Sequence, residues 1–208
     1  TGSPMREVLD AYRGEILESD VLERLGLTEG GYFLVSAHRE ENVDHPDRLR
    51  ALLDCLVAVR EAYALPVFVS THPRTRKRLE SLPEWAEPEG ITFSDPLGFH
   101  DYNRLQLSAA CCLSDSGTIA EESTLLGFPA VTLRDSIERP EALDTGGIVM
   151  TDAGPVPVSG LLSATAGFDV SFAMAGALLV GVPPVLCAAL ACLALAWSFI
   201  RVSRPTRI

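Results

Sequence analysis

The stretch Cys111-Cys112-Leu113-Ser114-Asp115-Ser116-Gly117-Thr118-Ile119-Ala120-Glu121-Glu122 reads as a strand, a tight turn and the opening of a helix. A short run with no polar alternation suits a strand buried on both faces. Small hydroxyl residues and a glycine then turn the chain, and a helical period carries on to Leu126. The same alternation extends in both directions. Upstream, residues 32–37, 66–70 and 91–94 read as strands, separated by helical patterns over 46–63, 74–82 and 100–110. Downstream, 130–133 reads as a fifth strand and 147–150 as a sixth. Strands and helices alternating at this pitch need crossover connections, hence a parallel sheet. The fold class is α/β, a Rossmann-like parallel sheet with helices on both faces.

Charge and apolarity occupy different parts of the 208-residue chain. It carries 28 acids against 17 bases, a net charge of -11, yet 47% of its residues are hydrophobic and its mean hydropathy is +0.20. Residues 151–208 contain only Asp152 and Asp169 as acids and Arg201, Arg204 and Arg207 as bases. The acidic balance therefore belongs to residues 1–150, and a boundary falls near Thr151. Such a balance argues against a nucleic-acid partner, which needs a basic footprint. The five cysteines form no CxxC pair and no metal spacing with histidine. No metal site is expected, and an odd count without a disulfide framework suits a reducing compartment. Residues 1–27 form an amphipathic helical segment with nothing before it to pack upon, as at the entry from another domain. With Thr1-Gly2-Ser3-Pro4 ahead of Met5, the chain reads as cut from a longer one.

In an open parallel sheet, ligands bind beyond the carboxyl ends of the strands. His38-Arg39-Glu40-Glu41-Asn42 follows the first strand and offers two groups able to face an anion; a structural histidine is the alternative. Thr71-His72-Pro73-Arg74 follows the second. Its basic first turn opposes the helix dipole, which hints at an acidic ligand or partner. After the fourth strand, Ser116, Gly117 and Thr118 precede a helix whose N–H groups and positive end suit a phosphate. Glu122, roughly one turn into that helix, could accept two ribose hydroxyls. An ordinary capped helix, with Ser116 as the cap, fits the same residues. Tyr102 offers a flat face to a base or belongs to the core. Arg134-Asp135-Ser136-Ile137-Glu138-Arg139-Pro140-Glu141 is a solvated loop or a clamp on the same site.

Taken together and in order, the 38–42, 115–122 and 134–141 segments resemble the UDP-N-acetylglucosamine 2-epimerases, in particular the second half of the non-hydrolysing type. The resemblance runs from about Thr1 to about Thr151. It implies the second domain of a GT-B-type fold, with UDP-sugar held between two Rossmann-like domains, and homodimers in the intact family. The implied reaction interconverts UDP-GlcNAc and UDP-ManNAc without a redox cofactor, through loss of the C2 proton, elimination of UDP and its re-addition. By motif match His38 is the catalytic candidate and contacts the UDP phosphates, as do Ser116 and Gly117; Arg39 and Thr118 are further substrate-binding candidates. Glu122 is matched to the ribose, Tyr102 to uracil, Arg134 to the cleft, and His72 to an additional, regulatory UDP-sugar. The family's catalytic acids lie mainly in the first domain. Residues 28–151 therefore constitute a UDP grip without those acids, expected to be inactive without the missing N-terminal domain. A cytoplasmic supplier of surface-polysaccharide precursors is implied.

The end of the chain departs from that family. Residues 170–200 form a run of 31 without a charge, longer than the roughly 20 needed to span a bilayer. Small residues such as Ala173, Ala175, Gly176 and Gly181 recur as at packed transmembrane interfaces. Arg201, Arg204 and Arg207 would leave the C-terminus in the cytoplasm. By composition, 152–208 resembles the last spans of a major-facilitator transporter, an apolar helical tail that reads as membrane-spanning; a buried soluble hairpin is the alternative. Two other functions remain open: a GT-B glycosyltransferase donor domain, and a membrane-tethered nucleotide-sugar binding module without catalysis.

Overall fold

Six parallel strands, each of four residues, are set in the order β3-β2-β1-β4-β5-β6. They are β1 (Phe33–Ser36), β2 (Val67–Ser70), β3 (Ile91–Ser94), β4 (Cys111–Ser114), β5 (Ala130–Leu133) and β6 (Ile148–Thr151). The computed structural model describes residues 4–83, 85–133 and 148–151. The order reverses between β1 and β4, where Leu34 pairs with Cys112 and Ser36 with Ser114. This is the topological switch point of a doubly wound fold.

The pleat explains how short strands hold two layers of helices. Phe33 and Val35 of β1 face one side, with Val67, Val69, Cys111, Leu113 and Val131. Against them lie α4 (Glu40–Val43), α5 (Pro46–Tyr63) and α6 (Pro73–Glu80) through Val43, Leu49, Leu52, Leu56, Val59 and Leu79. Leu34 faces the other side with Phe68, Cys112 and Ala130. There α3 (Val21–Leu25), α7 (Phe99–Ser108) and α8 (Ile119–Leu126) contribute Val21, Leu105, Ile119 and Ala120. Each such aliphatic burial contributes about 1.5–3 kcal/mol. Pro46 at the first turn and Asp47 beside it start α5 as the dipole favours. At the far end of α8, Gly127 takes φ 78° and turns the chain into β5.

The N-terminal segment is not one helix but three: α1 (Met5–Ala11), α2 (Arg13–Glu18) and α3. These helices pack on the domain, α1 against α8 and α2 and α3 against α7, burying Leu9, Ile16 and Val21. Ser19, at the break between α2 and α3, donates to Asp101 at 2.6 Å, and Arg24 reaches the other oxygen of Asp101 at 2.6 Å. Among the described residues no helix is long and apolar enough to cross a membrane. The apolar run 170–200 and the loop 134–141 lie outside the described residues.

Candidate functional site

Two loops meet at the switch point, and one side chain joins them. Asp115 leaves the carboxyl end of β4 wholly buried, its own N–H donating to the Ser36 carbonyl at 3.2 Å. Its carboxyl oxygens accept the backbone N–H of His38 at 3.0 and 3.1 Å and that of Arg39 at 2.9 Å. Asn42, also buried, donates its amide to Asp115 at 3.0 Å and to the Leu133 carbonyl at 3.0 Å. The loops after β1 and β4 and the end of β5 are thus one hydrogen-bonded unit. The His38 ring stays exposed, with Nδ1 3.4 Å from Asp115. Its centroid lies 6.0 Å from that of His72, the residue preceding α6.

Helix α8 begins beside this unit. Ser116 accepts from the Thr118 N–H at 3.3 Å and its hydroxyl lies 2.9 Å from that of Thr118. This local turn, rather than a side-chain cap on the helix, leads into Ile119. The first-turn N–H groups of a helix have no carbonyl within it to bond, so this turn presents its donors and positive end at the sheet's carboxyl edge. One turn further, Glu122 accepts from the Gln106 amide of α7 at 2.6 Å. Tyr102 lies one turn earlier on α7, half-buried and packed on the second core layer. Burial pushes its phenol pKa up, with the nearby carboxylates of Glu122 and Asp115 adding to this.

The structure brings His38, Arg39, His72, Tyr102, Ser116, Gly117, Thr118 and Glu122 to the carboxyl edge of the sheet, on the loops and helix starts after β1, β2, β3 and β4. Arg134 lies outside the described residues. Asp115, Asn42 and Gln106 were not singled out as site residues by sequence. The first two stand inside the quoted motifs, whereas nothing in the sequence around Gln106 marks it. The basic first turn of α6 has a different explanation from an acidic ligand. Arg74 binds Glu40 at 2.8 Å and both oxygens of Asp44, and Arg78 binds Asp44 at 3.2 Å. The acid is the chain's own. Cys111 and Cys112 are buried in β4, and burial raises the Cys111 thiol to about 12, far from a reactive thiolate. Among the described residues no group of three His, Cys, Asp or Glu is placed to hold a metal ion.

Architecture and loop placement together define a doubly wound α/β domain whose ligand-binding edge is built at its β1/β4 switch point. Residues 1–163 match the family model of UDP-N-acetylglucosamine 2-epimerase, and the chain belongs to that family. The match continues past the composition break near Thr151. A UDP-N-acetylglucosamine 2-epimerase of Methanocaldococcus jannaschii is 35% identical over 122 residues, 57% of this chain and 33% of that protein. The UDP-2,3-diacetamido-2,3-dideoxy-D-glucuronate 2-epimerase of Pseudomonas aeruginosa is 34% identical over 61% of this chain and 34% of its own. Among solved structures, UDP-N-acetylglucosamine 2-epimerase from Rickettsia bellii is similar at TM-score 0.70 and 40% identity, covering 79% of this chain and 43% of that one. The M. jannaschii enzyme in complex with UDP-GlcNAc and UDP is similar at TM-score 0.62 and 29% identity, over 72% of this chain and 42% of that one. The chain spans about a third of the length of the curated relatives it matches.

Proposed function

We propose that this chain is the UDP-binding half of a UDP-GlcNAc 2-epimerase, the second domain of a GT-B-type pair. The observation that carries the reading is the meeting of two loops and a helix start at the switch point, buttressed by Asp115. In this reading the turn Ser116-Gly117-Thr118 and the start of α8 hold the diphosphate, with His38 and Arg39 facing it from the β1 loop. Glu122 takes the ribose hydroxyls and Tyr102 lies against uracil. His72, close to His38, touches a second UDP-sugar, and Arg134 completes the cleft. Relatives whose names differ in the sugar share UDP and epimerisation at C2, which supports assigning a common UDP grip to the matched region.

The reaction removes the C2 proton and expels UDP with the electrons of the C1–O bond, leaving a glycal. UDP then re-adds at C1 while C2 is protonated from the opposite face. His38, at the diphosphate, assists departure and return of UDP. The proton-transferring carboxylates belong to an N-terminal Rossmann-like domain, so residues 1–208 bind UDP but do not epimerise. The working protein is a cytoplasmic homodimer, with residues 1–27 linking the two domains and 170–200 attaching it to a membrane.

Calorimetric titration of UDP into the 208-residue chain, beside Glu122→Ala, tests this. Loss of a charged hydrogen bond to the ribose weakens binding by about 1–3 kcal/mol, roughly 5- to 150-fold. Equal affinity in the two proteins removes the ribose assignment. No binding to the folded parent removes the idea of an autonomous UDP grip.

A further inference from the structure

Gln106 is a glutamine where the packing calls for an apolar side chain. It lies on α7 with no exposed surface, between Leu105 and Ser108 and over a core layer that includes Leu34, Cys112 and Ala130. Its Oε1 is buried and has no hydrogen-bond partner among the described residues. A lone buried acceptor destabilises a fold, and such a group calls for an explanation. The other end of the same amide supplies one, since Nε2 donates to Glu122 Oε2 at 2.6 Å.

The backbone beneath this side chain is held as well: the Cys112 thiol of β4 donates to the Gln106 main-chain carbonyl at 3.7 Å, and the Cys112 thiol and Tyr102 hydroxyl both lie close enough to Glu122 to feel its charge. Tyr102 and Gln106 are four residues apart and share one face of α7. Helices α7 and α8 are therefore joined at the Glu122 carboxyl group by the Gln106 amide. We infer that Gln106 is a positioning residue: its buried amide fixes the Glu122 side chain in the rotamer that presents its second oxygen to a pair of vicinal hydroxyls on the bound nucleotide. This rests on the reading of Glu122 as the ribose-binding group. It predicts that ribose recognition depends on a residue that does not touch the ligand.

The test is the ratio of affinities for UDP and 2′,3′-dideoxy-UDP, measured calorimetrically in the full chain, Gln106→Met, Glu122→Ala and the double variant. Methionine keeps the volume and removes the orphaned oxygen, so Gln106→Met is expected to unfold in urea at the parent midpoint or above it. The expected result is a drop of about tenfold in the UDP preference for Gln106→Met, with dideoxy-UDP affinity unchanged. Glu122→Ala should show the same loss, and the double variant no further one. Were Gln106→Met to weaken both nucleotides equally, or neither, while Glu122→Ala abolished the preference, the positioning role would fall and the ribose reading would stand. Should Glu122→Ala keep the full preference, the ribose reading fails, and the inference with it. If Gln106→Met does not fold, Gln106→Leu carries the same comparison.

Discussion

Two aspartates hold the loop after β1, and they do so in opposite ways. Asp115 is buried among neutral donors, two backbone N–H groups and an amide. Asp44, at the end of α4, is partly exposed and bridges the guanidinium groups of Arg74 and Arg78. Each is a carboxyl group with several partners, and a simple count of bonds would rank them together. Their surroundings separate them. Solvent can replace the partners of Asp44, whereas the Asp115 carboxyl is wholly buried and its removal takes the acceptor from three donors at once. The first aspartate sets geometry at the proposed site, and the second ties down its outer edge.

The largest effect should follow from removing the buried member. Asp115→Ala strands the N–H groups of His38 and Arg39 and one bond of the Asn42 amide, and should lower unfolding free energy by roughly 3–4 kcal/mol. Urea unfolding checks this, with the slope unchanged because the surface exposed is the same. UDP affinity should fall as well, since the β1 and β4 loops are no longer coupled. A stability loss below about 1 kcal/mol would mean that water enters and replaces the carboxyl, and the contrast with Asp44 would collapse.

Asn42→Ala sharpens the same contrast at a smaller scale. It leaves Asp115 with its two backbone donors and deprives the Leu133 carbonyl of the Asn42 amide. A loss of about 1–3 kcal/mol in the same urea experiment is expected. Because Asn42 and Asp115 share a bond, the double variant should lose less than the sum of the two. Additivity would show that the two side chains act independently.

The contrast also separates what the sequence carries from what it does not. Strands β3, β4 and β5 and helix α5 have the bounds expected from apolar runs and helical spacing, because burial on both faces leaves a local pattern in the residues. Helix α4 leaves none. Glu40-Glu41-Asn42-Val43 has one buried aliphatic residue, and its start is fixed by Asp115, 76 and 77 positions from the N–H groups it accepts. The same distance hides Asp115 and Asn42 as partners, although both stand inside recognisable motifs. Gln106 is harder still, since its partner Glu122 lies on another helix and its own neighbours look like ordinary core. The N-terminal segment kept its apolar period but not its continuity. Ser19 and Asp20 break it where Asp101 supplies a partner for both Ser19 and Arg24, a contact no local pattern announces.

Asp44 should give the smallest effect at neutral pH and a distinct one in acid. Its pKa lies below the ordinary 3.8, chiefly because Arg74 hydrogen-bonds its charged form, with Arg78 adding to this. A carboxyl depressed in the folded state binds protons less readily there than in the unfolded chain, so it stabilises the fold above its unfolded pKa. That contribution is complete above about pH 5 and disappears as pH falls from there through the depressed folded value. Asp44→Asn should therefore leave the urea midpoint near the parent's at pH 7 in salt, where exposed pairs are screened. As pH falls below about 4, the unfolded value, and on through the depressed folded one, the two proteins should converge, since folded Asp44 then loses its charge as well. The informative comparison is at pH 5–7 in low salt, where any gap between them belongs to the Arg74 and Arg78 bridge. A gap that persisted undiminished at the acid end would place the origin elsewhere, in the packing of α4 on α5 rather than in charge. Asp44 would then resemble Asp115 after all, its position mattering more than its ionisation.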